Sequence, residues 1–201
     1  MSDVPELFKS RYFKRKSVNV FKFVDEICEK SAANFSNSVL NITYSIPKES
    51  MYCSIDTELL ERAIYNMIAN SVKAQSKNIH IDLKQQRDIL QLSVSDDGYG
   101  MINEQKSKIL TKFKEKPALN FSDRGLGLGM LIIHAAAFSH NGTVLITDVE
   151  PRGCKVTLTI QITGKGQMQL SQNPVFLNFD PLGGVDPIVI ELAEFLPPEN
   201  F

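Results

Sequence analysis

Three short groups of residues carry atoms that chemistry can use. Asn66, Asn70 and Lys73 lie three and four residues apart, so on a helix they share one flank. Two amides and an amine at the edge of a core need polar partners. The second group is Asp96-Asp97-Gly98-Tyr99-Gly100-Met101, which follows an alternating run ending at Ser95. A carboxylate at a strand end can accept a hydrogen bond from an exocyclic amine, and Gly98 and Gly100 beside it let a flat base approach the backbone. The third is Gly125-Leu126-Gly127-Leu128-Gly129-Met130, directly followed by an apolar helical stretch. Alternating glycines at a helix N-terminus free backbone N–H groups to face an anion, and the helix dipole adds to the attraction. Their spacing is not the dinucleotide fingerprint, which needs an opening strand and G-x-G-x-x-G. Taken singly, the first group also reads as an ordinary helix edge and the second as a common turn.

The elements that must position these groups are legible from periodicity. Asp56 to Ala74 reads as one helix: Asp56 and Thr57 suit its N-cap, Glu58 and Glu61 its first turns, and Lys73 its last. Leu60, Ala63, Ile64, Met67, Ile68 and Ser71 or Val72 form a single stripe expected to lie against a sheet. Ahead of it, Val4 to Lys16 reads as a short helix, Val18 to Val20 as extended, Phe21 to Ala33 as an amphipathic helix, and Leu40 to Ile46 as a strand. Met51 to Ile55 is extended and leads into the Asp56 helix. Ile79 to Leu83 and Leu90 to Val94 alternate as strands around a turn at Gln85 to Asp88. Residues 102–124 lack a clean period and are expected to form a loop with at most a short helix near Lys106 to Phe113. Met130 to Ser139 is a strongly apolar helix preceded by a glycine-rich turn, and Val144 to Val149 and Val156 to Ile162 form a terminal hairpin around Pro151 to Gly153. This order predicts an α/β two-layer sandwich, one mixed sheet with helices on one face.

Bulk properties narrow the field. The 201 residues fit one domain with an appendage, and 43% hydrophobic with 22% charged residues is ordinary for a globular protein. A formal net charge of −1 gives no global field favouring nucleic acid or membrane. Cys28, Cys53 and Cys154 form no close pair, which argues against a disulfide framework and a zinc site and favours the cytoplasm. The charged N-terminus lacks an apolar leader, and no window approaches the ~20 apolar residues of a membrane span. The chain is therefore expected to be cytoplasmic, on its own or as the cytoplasmic part of a membrane-bound parent. The expected division is 1–17 as an N-terminal helix or linker, 18–162 as the main domain, and 163–201 as an extension whose linker-like start gives no role.

Taken together, in this order and spacing, the three groups resemble the GHKL ATPase superfamily, in particular the catalytic and ATP-binding domain of sensor histidine kinases. The N box is Asn66 to Lys73, the G1 box Asp96 to Gly100 and the G2 box Gly125 to Met130; the likeness extends through His140-Asn141-Gly142 and covers roughly 18–162. The resemblance implies a Bergerat-type fold and Mg-ATP as ligand. It implies that Asn70 holds Mg²⁺ with Asn66 supporting it, and that Lys73 reaches the phosphates. Asp96 takes the adenine amino group, with Gly98 and Gly100 admitting the base. Gly125, Gly127, Leu128 and Gly129 wrap the triphosphate, and 102–124 forms an ATP lid whose Lys106, Lys108, Lys112, Lys114 and Lys116 are either solvated or phosphate contacts. Three positions are distinctive: Cys154 replaces a hydroxyl residue near the base, Ser71 replaces a usual alanine, and Phe113 stands for the family's lid phenylalanine.

Gyrase-like, chaperone-like and anti-sigma-type relatives typically carry a general-base glutamate where this chain has Asn66. An amide cannot take a proton from water or serine, so the site is expected to bind ATP and hydrolyse it poorly. The expected activity is donation of the γ-phosphate to a histidine on a separate dimerisation domain, with a response regulator downstream. The alternatives are an ATP-binding regulatory or interaction module without transfer activity, and an anti-sigma-like serine kinase. His80, His134 and His140 are followed by Ile81, Ala135 and Asn141, not by the acidic residue that normally follows a phosphoacceptor.

Overall fold

The computed structural model describes residues 14–36, 38–112, 127–162 and 192. In chain order they form β1 (Lys16–Asn19), α1 (Val20–Asn34), β2 (Asn41–Ser45), β3 (Tyr52–Ile55), α2 (Thr57–Lys73), β4 (Asn78–Gln86), β5 (Ile89–Asp96), α3 (Asn103–Lys112), α4 (Gly127–Ser139), β6 (Val144–Asp148) and β7 (Cys154–Gln161). A five-stranded mixed sheet runs in the order β2-β4-β5-β7-β6, parallel between β2 and β4 and antiparallel elsewhere, with helices on one face. This is the expected two-layer α/β sandwich.

Alternation builds the sheet. Ile79, Ile81 and Leu83 on β4, Leu90, Leu92 and Val94 on β5, and Val156, Leu158 and Ile160 on β7 are all buried, because successive strand residues face opposite sides. The helical layer closes over them. Helix α4 packs against α2 on one side and against β6 and β7 on the other. That double cover explains why LIIHAAAF has no polar stripe: a helix apolar all round belongs inside. Helix α2 accordingly lies chiefly along α4 and touches the sheet at β5.

A pairing that periodicity did not reveal is a separate two-stranded antiparallel sheet, β1 with β3. Each strand feeds a helix, β1 into α1 and β3 into α2, and the Val20 N–H donates to the Met51 carbonyl at 2.8 Å. The two helix starts are thereby fixed side by side. Of the helix expected over Val4 to Lys16, only Lys14 to Lys16 are described, and they are not helical: Lys16 is already in β1, because pairing with Ile55 holds it extended. The rest of that segment lies outside the described residues.

Helix α2 starts and stops by local chemistry. Asp56 is the N-cap, its Oδ1 accepting from the Leu59 N–H at 3.1 Å, an arrangement worth about 1 kcal/mol. At the other end Gln75 adopts φ 57°, the Gln75 N–H donates to the Val72 carbonyl at 2.9 Å and the Ser76 N–H to the Ser71 carbonyl at 3.3 Å. This is a Schellman stop with glutamine in the usual glycine position. Helix α3 is the short helix expected within 102–124. It docks through buried Ile109, and Lys106 forms an ion pair with Asp148 at the end of β6. In the C-terminal extension the structure describes Leu192 alone, fully buried as part of the core.

Candidate functional site

The carboxylate of Asp96 stands at the last residue of β5, 7% exposed. Three donors hold it. Oδ1 accepts from the Gly98 N–H at 2.9 Å and from the Cys154 N–H at 3.4 Å, and Oδ2 accepts from the Ser71 hydroxyl at 2.9 Å. A carboxylate offers about four lone-pair positions, so these donors leave roughly one, on Oδ2. The neighbouring Asp97 has a different task. Its oxygens accept from the Lys77 and Asn78 N–H groups and the Asn78 amide at 2.7–2.9 Å, which lowers its pKa to about 2 and staples the turn after α2 to the end of β5.

Backbone packs against backbone around this carboxylate. A Cβ on Gly98 would lie 2.6 Å from the Ala74 carbonyl oxygen, and the Tyr99 N–H donates to that same oxygen at 3.0 Å. The segment 97–100 therefore rests on the C-terminal end of α2. Gly100 takes φ +76° and Gly153 φ +136°, conformations that suit residues without a side chain. A Cβ on Gly153 would stand 1.9 Å from the Asp96 carbonyl oxygen. The turn before β7 thus closes onto the end of β5, which brings the Cys154 N–H to Asp96. The side chain of Cys154 is buried, and burial first, then the nearby Asp96, pushes its thiol up to about 11.

The three polar residues of α2 separate by depth. Asn66 is buried; its amide nitrogen donates to the Arg62 carbonyl at 2.8 Å, and its Oδ1 faces α4, where a Cβ on Gly129 would lie only 2.5 Å away. Asn70 is half-buried, and its amide nitrogen donates to Met130 Sδ at 3.2 Å, which turns its oxygen to the other side of the amide. Lys73 is exposed in the last turn. Gly127, Leu128 and Gly129 form the first turn of α4 and do not lie in a turn before it, a correction of three residues to the expected start at Met130. The first N–H groups of a helix have no intrahelical acceptor, so an anion-facing role survives the correction. Gly125, Phe113, Lys114, Lys116 and the rest of the expected lid after Lys112 lie outside the described residues. Lys106 is engaged with Asp148, and exposed Lys108 pairs with Glu104 on its own helix.

The histidines have structural duties. His140 is 2% exposed at the end of α4: its Nδ1–H donates to the Ala136 carbonyl at 2.7 Å, while Nε2 accepts from the Asp56 N–H at 3.0 Å. Burial lowers its pKa to about 4. His134 is buried edge-on to Phe138, and His80 bonds the hydroxyls of Thr43 and Ser45 across the sheet. The roles that sequence reasoning left unassigned are those of Ser71, Asp97 and Gly153. Ser71 looked like a mild replacement of alanine and Gly153 like part of a hairpin turn; both matter because of what β5 brings next to them. No helix among the described residues is long and apolar enough to cross a membrane.

Residues 55–164, more than half of the chain, match the family described as "Histidine kinase-, DNA gyrase B-, and HSP90-like ATPase". This chain belongs to that family. Histidine kinase P4 of Formosa agariphila is 30% identical over 162 residues, covering 77% of this chain and 12% of that protein. Sensor histidine kinase WalK of Bacillus subtilis is 24% identical over 157 residues, covering 76% of this chain and 26% of its own. The chain therefore spans about a quarter or less of these two curated relatives. Among solved structures, the ATP binding domain of PrrB from Mycobacterium tuberculosis superposes with a TM-score of 0.58 at 18% identity, covering 75% of this chain and 98% of that one. The fold is that of histidine kinase ATP-binding domains.

Proposed function

We propose that residues 18–162 bind Mg-ATP and present its γ-phosphate to a histidine on a separate domain or partner chain in two-component signalling. The observation that carries the reading is the Asp96 carboxylate, held by three donors with one acceptor position left, beside a segment that Gly98 lets pack closely on the end of α2. That position suits one hydrogen of an adenine amino group. The same helix that donates Ser71 to Asp96 carries Asn70 and Lys73 within the same turn, so base and phosphate contacts share a rigid support.

The residues present fit a magnesium ion. Asn70 has its amide nitrogen turned to Met130, which leaves a carbonyl-type oxygen of the kind Mg²⁺ prefers. When bound, Mg²⁺ supplies charge neutralisation on the phosphate oxygens. Lys73 contributes a point charge at the helix end, and the first-turn N–H groups from Gly127 to Gly129 contribute an electropositive cradle. Asn66, buried against Gly129, supplies no base. The chain's own contribution to phosphoryl transfer is then orientation and electrostatics, and the attacking imidazole must be deprotonated by its own neighbours. Titration calorimetry with Mg-ATP is expected to give a dissociation constant between micromolar and sub-millimolar values, on the order of typical enzyme–substrate affinities. Asp96→Asn is expected to abolish the heat. A wild-type chain that takes up no Mg-ATP would remove this reading.

A further inference from the structure

We propose that the C-terminal extension folds back over the groove between α2 and α4 and is anchored there by Leu192, forming a cover on the outer side of the helical layer.

The outer side of each helix shows itself by where exposure recurs along it. On α4, Ile132, Ile133, Ala135, Ala136 and Ala137 are at most 2% exposed. Leu131, His134 and Phe138 retain more, at spacings of three and four, so together they form the side turned away from α2 and the sheet. Gly129 and Met130, which meet Asn66 and Asn70, mark the side toward α2. On α2, Arg62 and Ala69 lie on the line that runs from half-buried Glu58 to exposed Lys73. A helix side that faces water should be open in its middle. Here it is closed: Leu131 and His134 are 7% and 6% exposed, and Arg62 and Ala69 8% and 4%. The main neighbours of α4 among the described residues are α2, β6 and β7, and these take its other sides. A further segment of the chain therefore crosses both helices.

The C-terminal extension fits that place best. Leu192 has no exposed surface and belongs to the same continuous core, so the extension does pack on this domain. A buried leucine needs an apolar seat. The far face of the sheet is polar, carrying His80, Asp82, Gln91, Ser95, Lys155 and Thr157, whereas Ala69, Leu131 and Phe138 offer such a seat. Strand β7 ends beside the C-terminal end of α4, where the Gln161 N–H donates to the His140 carbonyl at 3.0 Å, so the extension starts at one end of the groove. The chain from Ile162 to Leu192 is more than twice as long as the 13-residue α4, so reach is not limiting. The cover ties together the two helices that carry Asn70, Lys73 and the Gly127–Gly129 turn, and it closes this groove to a partner domain.

Thiol labelling of the full chain tests the proposal. Cys28, Cys53 and Cys154 are buried, and burial raises each thiol, so they react slowly and report whether the fold is kept. Single reporters Ala69→Cys and Leu131→Cys, followed with iodoacetamide and located by peptide mass, are expected to label as slowly as the native thiols. Adding Leu192→Asp should speed both reporters by roughly tenfold or more while the native thiols stay slow. Reporters that label fast with Leu192 in place overturn the proposal, as do reporters that stay slow, or open on one helix only, in the Leu192→Asp chain. The segment before β1 is the rival cover, since the Arg15 guanidinium donates to the Ser139 carbonyl at the same end of α4. Opening by Phe8→Asp and not by Leu192→Asp would assign the groove to that segment and overturn the proposal. If Leu192→Asp also exposes the native thiols, the chain has unfolded and Leu192→Ala carries the comparison. A rise of about threefold at both reporters with the native thiols slow then supports the cover, and an unchanged rate overturns it.

Discussion

At the scale of single residues, the candidate site is governed by glycines whose missing side chains let other groups meet. Gly153 is the sharpest case, since its φ of +136° and its contact with the Asp96 carbonyl both exclude a Cβ. Gly153→Ala is expected to destabilise the fold by about 2–4 kcal/mol, combining backbone strain with displacement of the turn before β7. Urea unfolding followed by circular dichroism measures this directly; an unaltered midpoint would mean that the β5 and β7 ends can separate without penalty. None of this is visible in the tripeptide Arg152-Gly153-Cys154, which reads as the end of a hairpin turn. By contrast Asp96, Gly98 and Gly100 stood out as candidates once the two other groups followed in order, although alone they read as a common turn.

At the scale of elements, two helices share the candidate site and are joined again at their opposite ends. Asn66 and Gly129 bring α2 and α4 together near the glycine turn, while the Asp56 N–H and His140 Nε2 join the start of α2 to the end of α4. The chain before β1 meets the second junction: the Lys14 N–H donates to Asp56 Oδ2 at 3.1 Å, and the Arg15 guanidinium donates to the Ser139 carbonyl. His140 must be neutral to accept from Asp56. Its pKa falls from 6.5 to about 4 on folding, chiefly through burial, so between those values the unfolded chain binds the extra proton. The contribution is complete above about pH 6.5, is lost as the pH drops toward 4, and changes no further below that, for a total of about 3 kcal/mol. Unfolding midpoints taken from pH 7 down to pH 4 should therefore decline in the wild type with a component that His140→Gln lacks. Parallel slopes for the two proteins would show that this imidazole does not titrate as described.

At the scale of the whole molecule, the described histidines are each committed to structure, His134 and His140 in the interior and His80 between two sheet hydroxyls. The chain is accordingly expected not to label itself from γ-labelled ATP, and to pass the label only when a histidine-containing dimerisation domain is supplied. Acid-labile phosphate appearing on the isolated chain would contradict this. Transfer to the added domain separates the kinase reading from a module that binds ATP and passes nothing on.

The sequence by itself determined the nature of the elements and the identity of most candidate ligands, because both depend on short-range rules. A period of two made β2, β4, β5 and β7, a period of 3.6 made α1 and α2, and spacings of three and four put Asn66, Asn70 and Lys73 on one helix. What tertiary structure decided is which of these groups share surroundings. Asn66 and Asn70 share one helix flank by spacing, yet α4 buries the first and leaves the second half open. Ser71 and Asp96 are 25 residues apart and become hydrogen-bonded because β5 ends beside the last turn of α2. The β1–β3 pair and the early start of α4 escaped notice for the same reason. Four extended residues, or a Gly-Leu-Gly run, carry too little local preference, and it is the partner strand or the facing helix that fixes their conformation.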